Sequence, residues 1–111
     1  MKELTEKEIE EIRKIPTYYK INPMSWSHNL SEDFIREFQI YIDWFSISMY
    51  QKLSQEFILE FANKLNWILI SAYQNLSKEF IVNNFNKLHL ISLFENKNIP
   101  EDTKTYIRMF I

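Results

Sequence analysis

A six-residue phrase returns at a constant interval of 23 residues in the middle of this chain. The first copy begins at Leu30 and reads LSEDFI; the later copies begin at Leu53 and Leu76 and read LSQEFI and LSKEFI. A fixed period of this length is typical of architectures in which each supersecondary unit packs on the next one. The period therefore limits the fold to a stack of small units before any propensity is considered.

The repeated phrase has the residues of a helix start. Ser31 stands at the N-cap position, where its hydroxyl accepts a hydrogen bond from a free backbone N–H, and acidic residues follow in the first turn. Leu30 and Ile35 flank this cap at the spacing of a hydrophobic staple. Ser54 and Ser77 occupy the same position in the later copies, so three equivalent helices are predicted.

A second helix start lies 12 residues after the first in each copy. Asp43, Asn66 and His89 stand at its N-cap position, and histidine is the poorest of these caps, so we expect the third start to be the weakest. These signals predict a helix of about ten residues, a sharp turn and a helix of about eight residues in every copy. Trp44 and Trp67 recur at the repeat period, and periodic aromatic residues are predicted to pack in the core.

The two ends of the chain carry weaker versions of the unit. Residues 4–6 match the helix start, but this copy is 26 residues long and contains two prolines, which break helices. Residues 99–101 restart the pattern at the other end, where Thr103 and Lys104 replace the Phe-Ile pair of the repeats. We expect polar residues there because a terminal unit has no further neighbour to bury that pair.

We therefore predict an all-α fold: a short α-solenoid of two-helix repeats with a divergent N-terminal unit and a C-terminal capping helix. The 111 residues are expected to form one helical-repeat domain. Its parts are predicted as the divergent unit 4–29, the repeats 30–52, 53–75 and 76–98, and the capping helix 99–111.

The composition excludes several classes of function. The chain has no cysteine for disulfide or thiol chemistry and no glycine for a phosphate-binding loop. A net charge of −2 argues against direct nucleic-acid binding and against binding to anionic membranes. Since no apolar run is long enough for a membrane span or a secretory signal, we expect a cytoplasmic protein. Without glycine, Asn29, Asn75 and Asn98 are expected to end helices where copies meet.

No residue pattern indicates catalysis, a metal site or a cofactor. His28 and His89 are far apart in sequence, and neither stands at the spacing of metal ligands or beside a partner for proton transfer. Most carboxylates stand at helix starts, where they oppose the helix dipole instead of forming an acid–base pair. We therefore predict that the protein is not an enzyme, binds no metal and has no cofactor.

One stretch of the first copy is more apolar than its counterparts. Tyr41 stands where the later copies have lysine, and Met49 stands where they have alanine or glutamate. Together with Ile40 and Phe45 these residues form an apolar excess in one copy. Two interpretations are open: the excess packs against the bulky N-terminal insertion, or it is an exposed patch that binds a partner.

The N-terminal insertion contains aromatic residues that do not recur at the repeat period. Tyr18, Tyr19 and Trp26 lie in this irregular segment. Tyrosine and tryptophan are enriched among the residues that dominate the binding energy of protein interfaces. We therefore treat these three residues as candidates for partner binding.

Charge is distributed unevenly along the chain. Residues 31–60 contain six acidic and two basic residues. Glu32, Asp33 and Glu37 belong to this acidic stretch, and they are candidates for contact with a basic surface of a host protein. The alternative is that these carboxylates only form a solvated face.

The pattern of the repeat resembles a known family. Leu-Ser-Glu-Glu-Phe-Ile, followed a dozen residues later by Asn/Asp-Trp, Ile-Ser and Tyr-Gln-Lys, resembles a tandem repeat of giant and insect DNA viruses, phages and related mobile elements. Residues 30–98 carry this resemblance: SISMYQK at 46–52 and ISAYQN at 70–75 match, whereas LFENKN at 93–98 departs. The resemblance implies a viral or phage-like origin and no catalytic residues.

These observations predict a non-catalytic protein-binding module. The small size, the lack of catalytic residues and the resemblance lead to a sharper hypothesis: a phage- or virus-encoded inhibitor that sterically blocks a host defence complex, in the manner of anti-CRISPR proteins. The partner would be a host protein or protein complex. One alternative is a structural or self-associating scaffold that forms homo-oligomers, and another is an accessory subunit of a nucleic-acid-processing enzyme.

Overall fold

Helices and turns account for nearly the whole chain in the computed structural model, which describes residues 1–111, and the only strands are two residues long. This confirms the all-α class. The elements are β1 (Lys2–Glu3), α1 (Glu6–Lys14), α2 (Tyr18–Ile21), α3 (Met24–Ser27), β2 (His28–Asn29), α4 (Glu32–Glu37), α5 (Trp44–Tyr50), α6 (Gln55–Glu60), α7 (Trp67–Tyr73), α8 (Lys78–Asn83), α9 (Leu90–Glu95) and α10 (Glu101–Arg108).

The predicted helix starts are confirmed by their hydrogen bonds. Ser31 Oγ accepts from the Phe34 backbone N–H at 3.0 Å at the start of α4, and the serines before α6 and α8 make the same bond at 3.1 Å. Asn66 Oδ1 accepts from Leu69 N–H at 3.1 Å before α7. The histidine cap before α9 is weaker, as predicted, because the distance from His89 Nδ1 to the backbone N of Ser92 is 3.4 Å.

The first helix of each copy is shorter than predicted. The structure ends α4 at Glu37, and residues 38–41 continue as a run of turns. The Trp44 indole N–H donates to the Gln39 carbonyl inside this turn, and Trp67 makes the equivalent bond to Ala62. The periodic tryptophans therefore do two things: they pack partly buried against the core, as predicted, and they hold the turn between the two helices.

Asn29, Asn75 and Asn98 do not replace glycine as left-handed helix ends, so that expectation was wrong. No residue has a positive φ angle. Helices α5 and α7 instead pass directly into extended chain at Gln51 (φ −90°, ψ 141°) and Gln74 (φ −82°, ψ 153°). A left-handed cap is unnecessary here because the extended segment leads straight to the N-cap of the next helix.

The helices fall into two groups according to their position in the unit. We call α1, α4, α6, α8 and α10 the first helices, and α3, α5, α7 and α9 the second helices. The second helices pack side by side, α3 on α5, α5 on α7 and α7 on α9. The apolar core fills the space between them and the inward sides of the first helices; Phe57, Ile47 and Ile70 in it are fully buried.

Serine hydroxyls connect each second helix to the next one. Ser25 Oγ accepts from the Asp43 backbone N–H at 2.9 Å, and Ser48 Oγ accepts from Asn66 N–H at the same distance. Ser71 makes the same bond to the backbone of the following cap at 2.9 Å. All three serines are fully buried, and they are 23 residues apart. Each of them satisfies a partly buried backbone N–H at the N-cap of the next second helix.

A second series of buried hydrogen bonds uses carboxamides. Gln51 Oε1 accepts from Leu30 N–H at 2.9 Å, and its Nε2 donates to the carbonyls of Ser25 and His28. Gln74 makes the corresponding three bonds one unit further along. Asn96 continues the donor half of the series. We call these serine and carboxamide contacts the buried ladder.

The N-terminal unit keeps the ladder although its sequence diverges. Ser25 in α3 lies one period before Ser48, so α3 occupies the place of a second helix. The N-terminal residues pair with the extended segment that follows α3, as the parallel strands β1 and β2, with Lys2 opposite His28 and Glu3 opposite Asn29. The insertion is thus confined to residues between α1 and α3.

The C-terminal helix corrects one expectation. The polar residues Thr103 and Lys104 were expected to be exposed, because a terminal unit has no further neighbour to cover them, yet both are buried. They share a helix face with the buried Ile107, at spacings of four and three residues, so this face packs back onto the preceding helices. Lys104 Nζ lies 3.7 Å from Glu101 Oε1, which keeps an opposite charge beside the buried ammonium group.

The molecule is elongated. Its Cα radius of gyration is 15.6 Å and its principal extents are 52 × 24 × 19 Å. A compact chain of this length has a radius of gyration of about 13 Å. The long axis follows from the side-by-side packing of the second helices. None of the helices is both long enough and apolar enough to span a lipid bilayer.

Candidate functional site

Charge separates the two groups of helices. Each first helix carries at least two charged residues. By contrast, α3, α5 and α7 carry none, and α9 carries only Glu95. Interface centres in protein complexes are depleted of charged residues. The second helices are therefore the first place to look for a binding surface.

One apolar position is exposed in all three full repeats. Phe45, Ile68 and Ile91 occupy the same position of α5, α7 and α9, and 53%, 54% and 64% of their surface is exposed. Because these helices pack side by side, the three side chains form a stripe along the molecule. Burial in the core would explain why this position is apolar in all three copies, but these side chains face outward.

A second stripe lies one helical turn further along the same helices. Trp26, Met49 and Ala72 stand at equivalent positions of α3, α5 and α7, and Met49 and Ala72 follow Phe45 and Ile68 by four residues. Residues four apart lie on the same side of a helix, so the two stripes are adjacent. Trp26 is exposed, and the other two are half-buried. We call the surface formed by Trp26, Phe45, Met49, Ile68, Ala72 and Ile91 the second-helix face.

Three of the residues predicted from sequence come together on this face: Trp26, Phe45 and Met49. The apolar excess of the first copy is otherwise divided. Tyr41 packs partly buried against the core, whereas Ile40 is 77% exposed in the turn before α5. The packing interpretation therefore fits Tyr41, but it does not fit Ile40 or Phe45, which the N-terminal insertion leaves uncovered.

The other aromatic candidates lie in α2. Tyr18 and Tyr19 are both exposed, and their rings meet edge to face with 6.2 Å between centroids. Neither stands at the repeat position of a residue on the second-helix face. They form a separate small aromatic patch within the divergent first unit, and their role in binding stays a prediction.

The acidic candidates lie on α4, among the first helices, and each already contacts the chain itself. Glu32 accepts from the backbone N–H of Ser54 at 2.7 Å and from its hydroxyl at 3.0 Å. Asp33 lies 2.8 Å from Arg36. The Glu37 carboxylate accepts two hydrogen bonds from Arg13, the shorter at 2.6 Å. Contact of these carboxylates with a partner stays a prediction, and it would compete with these intramolecular bonds.

The pKa shifts belong to the same contacts. The hydrogen bonds from Arg13 lower the pKa of Glu37, and those bonds raise the pKa of Arg13 in turn. Hydrogen bonding to Glu60 raises the pKa of Arg36. At the N-terminus, the Thr5 backbone N–H lowers the pKa of Glu8 as part of a capping box. All four groups are explained by contacts within the first helices, so none marks a reactive site.

A groove runs along the ends of the second helices. It is a cavity of about 620 Å³ lined by Tyr50, Tyr73, Lys52 and Asn75, together with buried-ladder residues. Both tyrosines are about half exposed and are 23 residues apart. A neighbouring cavity of about 520 Å³ shares Tyr73 and Asn98 with it and extends the groove toward α9. We call this feature the connector groove.

No cluster of three or more histidine, cysteine, aspartate or glutamate side chains lies close enough to hold a metal ion. The two histidines have local partners. His28 Nδ1 lies 2.7 Å from Ser27 Oγ, and His89 caps α9. These contacts account for both imidazoles within the fold.

Several surface residues were not predicted from sequence. Ile68 and Ile91 were not predicted because the candidates were positions that differ between copies, whereas the second-helix face consists largely of positions that are similar in the copies. Tyr50 and Tyr73 were missed for the same reason. The signal was present in the 23-residue spacing, but telling an exposed periodic residue from a buried one requires the packing of the helices.

No family model, no curated protein and no solved structure matches the chain. The surfaces described above therefore rest on the geometry of this molecule alone.

Proposed function

We propose that this chain is a short α-solenoid that works as a non-catalytic protein-binding module, with the second-helix face as its main docking surface. Support for the solenoid comes from the buried ladder, whose bonds recur at the period of the sequence repeat. The elongated shape, with 52 Å along its longest axis, supports it as well.

The observation that carries the binding proposal is the coincidence of exposure and lack of charge. Six apolar side chains from four helices share one side, and no charged residue of α3, α5 or α7 interrupts them. Patches of this kind are uncommon on monomeric proteins unless they bind something. Trp26 and Phe45 are the side chains best suited to act as anchors, because large aromatic residues contribute most to interface energies.

The narrower role we propose is that of a phage- or virus-encoded inhibitor acting in the host cytoplasm. In this role the face would cover a functional surface of a host defence protein and block it sterically. The support is indirect: the small size, the lack of a catalytic cluster and the resemblance of the repeat to viral and phage sequences. The partner's contact surface would be apolar and uncharged, to match the second-helix face.

A second candidate function is self-association. The scarcity of charge favours it, because Glu95, four residues after Ile91 in α9, is the only charged residue of the second helices that could cause like-charge repulsion between two copies. A pair of copies related by a two-fold axis would then bury the face in an isologous interface. Light scattering of the purified protein over a hundredfold range of concentration separates the two candidates, since only self-association raises the mass without a partner.

The docking surface is tested by capture of partners from lysates of low-GC bacteria that carry defence systems, read by mass spectrometry. Ile68→Asp places a charge in the centre of the face, and we expect it to abolish capture of any partner that the unchanged protein retains. Leu59→Asp is the matched control: Leu59 lies in the same repeat and is similarly exposed, but it belongs to first helix α6.

Equal loss of capture with both variants would mean that the substitutions act on the fold, which circular dichroism would show. Capture that survives Ile68→Asp but is lost with Leu59→Asp would contradict the proposal and move the docking surface to the first helices.

A further inference from the structure

The connector groove and the second-helix face are parts of one surface. Met49 and Ala72 belong to the face, and they also line the two cavities of the groove. On one side of them is the stripe that starts at Phe45, and on the other side are the two tyrosines of the groove. Both sides are about half exposed, whereas Met49 and Ala72 between them are half-buried. We call this surface the trough; it is formed by Phe45, Met49, Tyr50, Ile68, Ala72 and Tyr73.

The trough crosses the second helices, and its side chains repeat once in each helix. Packed helices are about 8–10 Å apart. Residues seven apart in an α-helix lie about 10 Å apart on one face, whereas residues on one side of a strand are about 7 Å or about 13 Å apart. A helix laid across α5, α7 and α9 can therefore present one apolar side chain to each of them, and a strand cannot.

The backbone of this region is already satisfied. The carbonyls of Ser48 and Gln51 accept from the Gln74 side chain, and the carbonyl of Tyr73 accepts from Asn98. An extended ligand would lose water from its own N–H and C=O groups on the apolar part of the trough without gaining partners there. A helical ligand bonds these groups internally, so a helix is the form that suits this surface.

Two charges stand at the ends of the trough. Lys52 lines the larger cavity beside Tyr50, and it forms no ion pair. Glu95 occupies the position of Ala72 one period later in α9, lines the smaller cavity, and is also exposed without an ion pair. Helices α5 and α9 are two helix spacings apart, about 16–20 Å, which corresponds to about three turns of a helix.

We propose that the trough binds one amphipathic α-helix of a partner protein, with apolar residues seven apart, an acidic residue at Lys52 and a basic residue about three turns away at Glu95. This inference rests on the proposed function and names the kind of partner. A second copy of the chain is poorly suited to the site. Its longest helix, α1, has nine residues and spans about 13 Å, which is less than the distance from α5 to α9.

The probe is a phage-displayed library of random peptides of about 20 residues, which span about 30 Å as helices. The library is selected on the immobilised full-length protein. We expect the retained peptides to share apolar residues seven apart, with an acidic and a basic residue about three turns from each other. A retained peptide made synthetically should become helical by circular dichroism when it binds. Retained peptides with an alternating apolar pattern, or no retained peptide, would overturn the proposal.

The variants Ile68→Asp and Leu59→Asp separate this proposal from the proposed function. Loss of the selected helical peptides with Ile68→Asp alone supports the trough as their site. Peptides that depend on Ile68 but lack helical spacing would keep the docking face and contradict the helical partner. Helical peptides that survive Ile68→Asp would contradict both. A dimer that Ile68→Asp dissociates, and that retains no peptide, would assign the face to a second copy and overturn the proposal.

A charge swap on an exposed residue makes the test independent of the apolar packing. Lys52→Glu is expected to weaken binding of a selected peptide by about fivefold, and replacement of the acidic residue of that peptide by lysine should restore the affinity. Lys87→Glu is the control, because Lys87 is exposed and lines neither cavity. Equal effects of the two substitutions would show a nonspecific effect of net charge and would contradict the register set by Lys52.

Discussion

The first and second helices come from the same repeat, yet neighbours within each group are joined by different chemistry. Two of the four neighbouring pairs of first helices are bridged at the surface by long charged side chains: Arg13 of α1 contacts Glu37 of α4 at 2.6 Å, and Arg36 of α4 contacts Glu60 of α6 at 2.9 Å. Neighbouring second helices are bridged by buried serine hydroxyls and carboxamides. The first helices therefore use charged side chains for contacts at the solvent-exposed surface, whereas the second helices use polar atoms that are buried between them.

The difference explains why α3, α5 and α7 carry no charged residue. Short side chains such as Ser48 allow the second helices to approach closely, and their hydroxyls satisfy the backbone directly. The buried serine and carboxamide bonds join these helices without surface ion pairs. The outward-facing residues of the second helices therefore make no bond that holds the fold together. Phe45, Ile68 and Ile91 are among these residues, and they are available to a partner.

The largest expected effect compares one phenylalanine from each group. Phe57 in α6 is fully buried, and Phe57→Ala should lower the free energy of unfolding by about 3–5 kcal/mol because a cavity remains in the core. Phe45→Ala on the second-helix face should change it by less than about 1 kcal/mol. Urea unfolding followed by circular dichroism measures both. Similar losses for the two variants would show that Phe45 is packed and that the face is not free.

The next effect concerns the carboxamides of the buried ladder. Gln74→Ala removes three buried hydrogen bonds and leaves the Leu53 N–H and two carbonyls unpaired. We expect a loss of about 2–4 kcal/mol in unfolding free energy. Gln55→Ala is the control among the first helices, because Gln55 accepts one exposed bond from Ser77, and it should cost less than about 1 kcal/mol. A loss as small for Gln74 as for Gln55 would refute the ladder as a source of stability.

A smaller effect is expected from the serines of the ladder. Ser48→Ala removes the acceptor of the Asn66 N–H and should cost about 1–2 kcal/mol. The sharper measurement is hydrogen exchange at the Asn66 amide, which should become faster than in the unchanged protein while the amides of α1 keep their rates. Unchanged protection at Asn66 would show that the bond from Ser48 does not hold the start of α7.

The smallest effect is the pH dependence of the first helices. Because the pKa of Glu37 is lowered in the folded protein, the unfolded chain binds the proton more readily as pH falls. The stability from this contact is present above the ordinary pKa of 4.5 and is lost as pH falls through the lowered folded value. Glu37→Gln should reduce the slope of stability against pH in this acidic range. An unchanged slope in thermal unfolding between pH 5 and pH 3 would assign the acid sensitivity to other carboxylates.

Local features of the helices were predictable from the sequence because the groups involved are close in the chain. Ser31 and the N–H that it caps are three residues apart, and the spacing of the staple residues is similarly short. The burial of Phe57 followed from its place on the apolar stripe of a periodic helix. The lengths of the first helices were overestimated, because the turn held by Trp44 continues the apolar spacing without continuing the helix.

The sites were less predictable, because they depend on pairs of residues that are distant in the chain. Trp26 and Met49 were singled out as candidates from the sequence, and the fold leaves both at least partly accessible, but the position of Met49 beside Ile68 requires the packing of α5 on α7. The acids of α4 looked free in the sequence, and Glu37 proved to be held by a residue 24 positions away. The pairing of β1 with β2 had no sequence signal, since two residues are too few for a strand pattern.

By itself, the sequence determined the period, the helix starts and the all-α class, because these arise from side chains and backbone groups within a few residues of each other. Only the tertiary structure decided which periodic residues belong to the buried ladder and which belong to the exposed second-helix face. Ser48 and Phe45 recur equally well in the sequence, yet one bonds to a residue 18 positions ahead and the other faces outward. That choice depends on how neighbouring helices satisfy their buried backbone groups, and such contacts exist only once the units have packed.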